Sequence, residues 1–389
     1  MMEIVLVGTI LTGLVSFVYY KYVVCEKVKL YYDKEDRDIA FIVERTENLQ
    51  KPFCPTPYLL NEHLQTIFNV ALRPDVNWFS YESEDFKFEC GGRIVLDWVH
   101  DNSSIVLDGK QVINEESPIM IVFAGLCGGS KEIEIKHFVS NAVREAGMRT
   151  VVVNYRGAQT SLHTEKFGLS TDDMGIVLRH IKSKFPKSKA LIGCGFSLGS
   201  NIMAKYLGEV GTDTPIDFAI SVSNPFDLEV SSLRLKNEFV NSMIYDKVFT
   251  TKRKELILSH EHIYGNSPVS LDKVKRVNST IEFDDVVSKT ILKMDNISEF
   301  YQTSSCKTDL DGILIPILFL NALDDPISSR HVIPYDAVKK NSNLIFATTE
   351  RGGHVAWMDG LTTPFKKEPS WMERTCIQFA KACIESKQK

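Results

Sequence analysis

In this 389-residue chain, covalent chemistry is first suggested at Gly195-Phe196-Ser197-Leu198-Gly199. A serine hydroxyl is a weak nucleophile until a base takes its proton, and that base needs a partner to fix its tautomer and steady its charged form. The pentapeptide follows the apolar run Lys189 to Gly193 and leads into a helical pattern from Asn201 to Gly208. A strand, a sharp turn and a helix in that order put the serine on an exposed bend, with glycines where side chains would clash. The helix N-terminus then points its positive end at the serine oxygen.

The partners are sought downstream. The run Asn343 to Glu350 reads as a strand and ends in Arg351-Gly352-Gly353-His354; of nine histidines, His354 is the one placed at such a strand end. The run Ile313 to Asn321 leads into Ala322-Leu323-Asp324-Asp325-Pro326, which puts carboxylates at another strand tip. The acid is ambiguous by one residue. Its place directly before Pro326 favours Asp325 and leaves Asp324 as a turn-former. Acyl transfer also needs backbone donors for a developing oxyanion. Leu198, after the nucleophile, supplies one N–H, and Leu126, in the loop Ala124-Gly125-Leu126-Cys127-Gly128-Gly129-Ser130, supplies the other. Nothing in this set requires a cofactor or a metal. His260 and His262 lack a third ligand at zinc-like spacing and read as a solvated helix end.

These residues need strands to hold them. Arg93–Val99, Pro118–Phe123, Thr150–Asn154, Phe218–Val222 and Ile315–Leu320 are short and rich in Val, Ile and Leu, several of them apolar on both faces. His137–Ala146 and Asp172–Phe185 carry helical patterns between them, with Ser170 as an N-cap. Alternation of this kind predicts a mostly parallel, doubly wound α/β sheet. Residues 226–309 break it, being charged and helical with no convincing strand, and read as an inserted helical cap. The expected division is an anchor over 1–25, an extension over 26–80, a core from 81–225 and 310–389, and the cap. Arg156 reads as half of a structural ion pair, and Cys194 as packed on the sheet.

Ile4 to Tyr20 carries no charge and apolar character resumes from Tyr22 to Cys25, so residues 4–25 are expected to form a transmembrane helix of about 20 residues. A cleaved signal peptide fits less well, because Glu3 stands where a positive region belongs. Lys21, Lys27 and Lys29 follow the span, which by the positive-inside rule predicts a cytosolic domain. A net charge of -5 without a basic run excludes a nucleic-acid partner, and 44% hydrophobic residues exclude a disordered chain. The eight cysteines have no C-x-x-C spacing and are read as reduced and mostly packed. N-x-[ST] sequences at Asn102, Asn278 and Asn296 decide nothing by themselves.

The set Leu96-Asp97-Trp98, Gly125 to Ser130, Asn154-Tyr155-Arg156-Gly157, Gly195 to Asn201, Asn224 to Leu228, Glu282 to Asp285, Asn321 to Pro326 and Gly352 to His354 resembles the membrane-anchored, YheT-like branch of the α/β-hydrolases. The resemblance covers most of residues 55–385. It implies an α/β-hydrolase fold, a Ser197–His354–Asp325 triad, and a serine hydrolase of lipid esters or phospholipids, single-pass in the endoplasmic reticulum or another endomembrane. The same triad could serve an acyltransferase, and a non-catalytic ligand-binding relative would be expected to have a broken one. The chain departs from the family at Met294 to Tyr301, where a Gly-Phe normally precedes an acidic helix containing two tyrosines. The family's acyl-chain preference therefore does not carry over.

Overall fold

A strand apolar at every residue has no face to give to water and needs a helix layer on each side. A computed structural model, describing residues 2–100, 106–107, 110–111 and 113–388, meets that demand with one nine-stranded sheet. Its strands are β1 (Lys29–Tyr31), β2 (Ser80–Lys87), β3 (Arg93–His100), β4 (Ile119–Phe123), β5 (Arg149–Asn154), β6 (Leu191–Phe196), β7 (Phe218–Val222), β8 (Ile317–Ala322) and β9 (Leu344–Thr349). They lie in the order β1-β9-β8-β7-β6-β4-β5-β3-β2. The six from β9 to β5 run parallel, while β1, β3 and β2 pair antiparallel at the edges.

An N-terminal helix, α1 (Met2–Tyr19), precedes the domain, and the helices that bear on the sheet and site include α2 (Arg37–Arg45), α3 (Glu62–Ala71), α4 (Ile133–Ala146), α5 (Thr171–Lys184), α6 (Leu198–Val210), α7 (Leu228–Asn237), α8 (Tyr245–Leu258) and α9 (Trp371–Ser386). Alternate residues of each buried strand go to opposite layers. Met120 and Val122 pack with Ile39 of α2, Phe138 of α4 and Phe379 of α9, whereas Ile121 and Phe123 pack with Met174 of α5 and Met203 of α6. The sheet is thus doubly wound, as the alternation predicts. Two edge strands escape the sequence reading. β2 is charged along its exposed face, and β1 is only three residues long.

Between β7 and β8 the chain is helical throughout, with a small core of its own in which Ile257, Val274 and Phe283 are fully buried. Its segments are short because polar caps interrupt them; Asp227, Ser270, Ser279 and Asn296 each accept a backbone N–H at a helix start.

The N-terminal expectation needs correcting. Among the described residues no helix is long and apolar enough to cross a membrane. α1 ends at Tyr19, which at 1.5 Å per residue makes it about 27 Å long. The residues assigned beyond it belong to the folded domain. Tyr20–Val24 form a π-helical turn, Val24 is buried, and the Tyr20 hydroxyl donates to the Pro55 carbonyl at 2.6 Å. Cys25 and Cys54 are joined as a disulfide, against the expectation that all cysteines are reduced; the other six are free. The bond draws together two short stretches, Glu26–Lys27 and Pro52–Phe53, that pair antiparallel. Asn102 lies outside the described residues.

Candidate active site

The turn between β6 and α6 is tight enough to force Ser197 to φ 52° and ψ -121°, a conformation that L-residues avoid and that occurs where surrounding structure over-determines it. Gly199 is needed beside it, because a Cβ there would lie 2.4 Å from the carbonyl oxygens of Phe123 and Ala124. Sharp bending of this kind lifts the serine side chain to the C-terminal edge of the parallel strands, where β8 and β9 also end.

His354 meets Ser197 at that edge. Its Nε2 lies 2.8 Å from Ser197 Oγ, and its Nδ1 lies 2.8 Å from Asp325 Oδ2. Asp325 is 1% exposed and His354 8%, so the pair is sheltered from water. Backbone N–H groups of Ile327 and Ser328, each at 2.8 Å, donate to Asp325 Oδ1 and fix the carboxylate's rotation. Asp325, not Asp324, is therefore the acid beside His354.

Asp324 has a different role in the geometry. Its Oδ1 accepts the Gly353 N–H at 2.9 Å and so ties the β8 loop to the glycines before His354. Burial, and then the neighbouring Asp325 charge, push its carboxyl from 3.8 up to about 7. With a raised folded pKa, the folded chain keeps a proton that the unfolded chain loses above pH ~4, so stability falls as pH rises from about 4 to about 7. Asp324→Asn removes that titration while leaving an oxygen for Gly353. The variant should gain melting temperature over the wild type across this window and hold a constant difference above it. Melting curves offset equally at every pH would show that Asp324 titrates as an ordinary carboxyl.

Two backbone donors stand ready at the same edge. Gly125 packs so close that a Cβ there would lie 3.2 Å from Ser197 Cβ, which puts Leu126 next to the serine. Among the described residues, neither the Leu126 nor the Leu198 N–H has a protein acceptor. Leu198 opens α6, where unpaired N–H groups and the helix dipole both favour negative charge. Cys127 lies in the same loop, where burial raises its thiol above the ordinary range.

The loop carrying Leu126 is held by a network not assigned from the sequence. The buried Asp97 of β3 accepts Ser130 Oγ and, at 2.7 Å, Asn154 Nδ2; Asn154 Oδ1 in turn accepts the Ser130 N–H at 2.9 Å. Family-like motifs that stand apart in the chain thus meet here. A second support also comes from far away in sequence. α3 turns a polar face inward: Thr66 Oγ1 accepts the His354 N–H at 2.9 Å, Asn69 Nδ2 donates to the Val355 carbonyl at 2.7 Å, and Gln65 Oε1 accepts the Met358 N–H at 2.8 Å. Buried polar residues three or four apart on an amphipathic helix could have signalled such a role.

Other expectations resolve as structure. Arg156 makes two 2.7 Å bonds to Asp173 and lies over Phe88, an internal ion pair. Cys194 is fully buried in the sheet. His260 is no solvated helix end: its Nε2 accepts the Leu162 N–H at 3.0 Å and its Nδ1 lies 2.8 Å from the Leu256 carbonyl, clasping the end of α8. Glu282 to Asp285 supplies Asp284, which is buried against Arg253 and accepts the Tyr301 hydroxyl at 3.0 Å.

Residues 118–361 match the family profile of the alpha/beta hydrolase fold, and the chain belongs to that family. It is a carboxylic ester hydrolase. Among similar proteins, phospholipase ABHD3 of Homo sapiens is 29% identical over 89% of this chain and 82% of its own length. The embryogenesis-associated protein EMB8 of Picea glauca is 29% identical over 83% of this chain and 71% of its own. The medium-chain fatty acid ethyl ester synthase/esterase 2 of Saccharomyces cerevisiae is 27% identical over 84% of this chain and 85% of its own.

Proposed function

We propose that the protein hydrolyses lipid esters, phospholipids among them, at a membrane, using Ser197 as nucleophile. The observation that carries this reading is the unbroken line from Asp325 through His354 to Ser197, with both links at 2.8 Å. Ser197 Oγ attacks the ester carbonyl as His354 Nε2 takes its proton, and Asp325 stabilises the resulting imidazolium. The Leu126 and Leu198 N–H groups hold the oxyanion. As the tetrahedral intermediate collapses, His354 returns the proton to the departing alcohol or lysolipid. Water, activated by the same histidine, then frees the fatty acid.

The helical segment 226–309 serves as the cap over the acyl chain. It is bonded to the acid loop, with Arg234 donating to the Asp325 carbonyl at 3.0 Å and Asn241 to that of Pro326 at 2.7 Å. The apolar N-terminal segment anchors the domain at the bilayer, a reading supported by large exposed side chains such as Leu14, Phe17 and Val18. The full chain in phosphatidylcholine vesicles should release fatty acid and lysophospholipid in equal amounts. Absence of both products together with absence of an acyl-enzyme would overturn the reading. A second outcome, acyl transfer to an added alcohol or lysolipid, uses the same triad and is favoured by the synthase/esterase likeness.

A further inference from the structure

The sequence leaves open which side of the membrane carries the domain, and the three lysines after the apolar segment predict the cytosol. Two structural features point the other way. The first is the disulfide between Cys25 and Cys54, which links the residue immediately after the N-terminal helices to the middle of the extension. Such a bond persists where the surroundings are oxidising, whereas the cytosolic thiol pool reduces it. A bias of three lysines is a statistical tendency of insertion, while a structural disulfide is a chemical requirement on the compartment. The second feature is the state of the N-x-[ST] sequences. Asn278 and Asn296 are both exposed. Each stands in the turn just before a short helix, Thr280–Phe283 and Ile297–Ser304 respectively.

From these we infer that the hydrolase domain is held on the luminal or external, oxidising face of its membrane, where Asn278 and Asn296 take N-linked glycans. The inference rests on the membrane reading for its geometry but on the disulfide and the asparagines for its direction. In the transfer, the asparagine Nδ2 forms the new bond to the first sugar of a lipid-linked oligosaccharide diphosphate, the sugar–phosphate bond breaks, and one Nδ2 proton is lost. Of the six other cysteines, Cys194, Cys306, Cys376 and Cys383 are buried away from exchange, Cys127 is half-buried, and Cys90 alone is an exposed free thiol. The substrate ester would then be drawn from the non-cytosolic leaflet.

The test is made on the full chain expressed in a eukaryotic cell line and collected into denaturant with maleimide–polyethylene glycol. Six adducts are expected before reduction and eight after, matching six free cysteines and one bridge. Removal of N-glycans should increase gel mobility, and Asn278→Gln and Asn296→Asp should each abolish one step of that shift. The aspartate is chosen because Asn296 Oδ1 caps its helix by accepting the Glu299 N–H at 2.9 Å, a bond that Asp can keep. Membrane-bound protein with eight adducts and no shift overturns the proposal while leaving the anchor intact. Six adducts without a step from either asparagine also overturn it, since the acceptor sites are then wrong. A glycosylated, disulfide-bonded chain released into the medium supports the oxidising compartment and the glycan sites and overturns the membrane reading on which the placement rests.

Discussion

Ser197→Ala should lower kcat for ester hydrolysis by about a millionfold, leaving only the modest acceleration that binding and the oxyanion donors provide. The size follows from the chemistry: without Oγ there is no acyl-enzyme, and the His354–Asp325 pair has no proton to move. The fold should survive. Ser197 sits at positive φ whether it carries a hydroxyl or a methyl, and no backbone bond depends on Oγ. Melting temperature should therefore change by less than about 2 °C. Labelling by a fluorophosphonate gives an independent reading, present in the wild type and absent in the variant. Equal labelling of both proteins would remove Ser197 from the mechanism.

The two adjacent aspartates should separate almost as widely. Asp325→Asn is expected to cost on the order of ten-thousandfold in kcat, the scale seen when an analogous acid is amidated. The surroundings dictate how the amide must lie. Two N–H donors, from Ile327 and Ser328, claim the oxygen at the Oδ1 position, so the NH2 group is driven toward His354 Nδ1. Nδ1 must then act as an acceptor, which puts the ring proton on Nε2, where it faces Ser197 and cannot take a second. Asp324→Asn still offers an oxygen to the Gly353 N–H and should stay within about tenfold of wild type. If Asp324→Asn is the variant that loses turnover, the acid has been assigned wrongly.

What the sequence makes legible is what the chain encodes locally. The bend at Ser197 needs glycines within two residues, and the loop at His354 needs Gly352 and Gly353, so both leave compact signatures. The buried strands are apolar without alternation because they meet helices on both faces, and this alone indicates a doubly wound sheet. Long-range pairing leaves no such mark. Arg73 and Glu373, fully buried and 2.6 Å apart, are separated by 300 residues. Thr66 lies 288 residues from His354, and Cys54 lies 29 residues beyond Cys25 in a segment that reads as a polar loop. The N-terminal helix is overcounted for a related reason. Apolar residues from Tyr20 to Val24 look like more of the same span, yet Val24 is buried in the domain and Tyr20 is fastened to Pro55.

The inward polar face of α3 bears on how this enzyme can be divided. Residues 118–361 contain Ser197, Asp325 and His354 along with both proposed oxyanion donors, and would look self-sufficient as a minimal catalytic unit. The backbone at His354 and Val355 is nevertheless held by Thr66 and Asn69, which lie outside that range. A protein trimmed to the segment 118–361 would keep every atom of the proposed mechanism but lose α3, the edge strands β1 to β3 and α9, whose Trp371, Met372 and Phe379 are buried against the sheet. Its defect would begin with folding, and the proposed base would also lose the groups that hold its backbone, so that the proposed chemistry depends on the extension as much as on the hydrolase core.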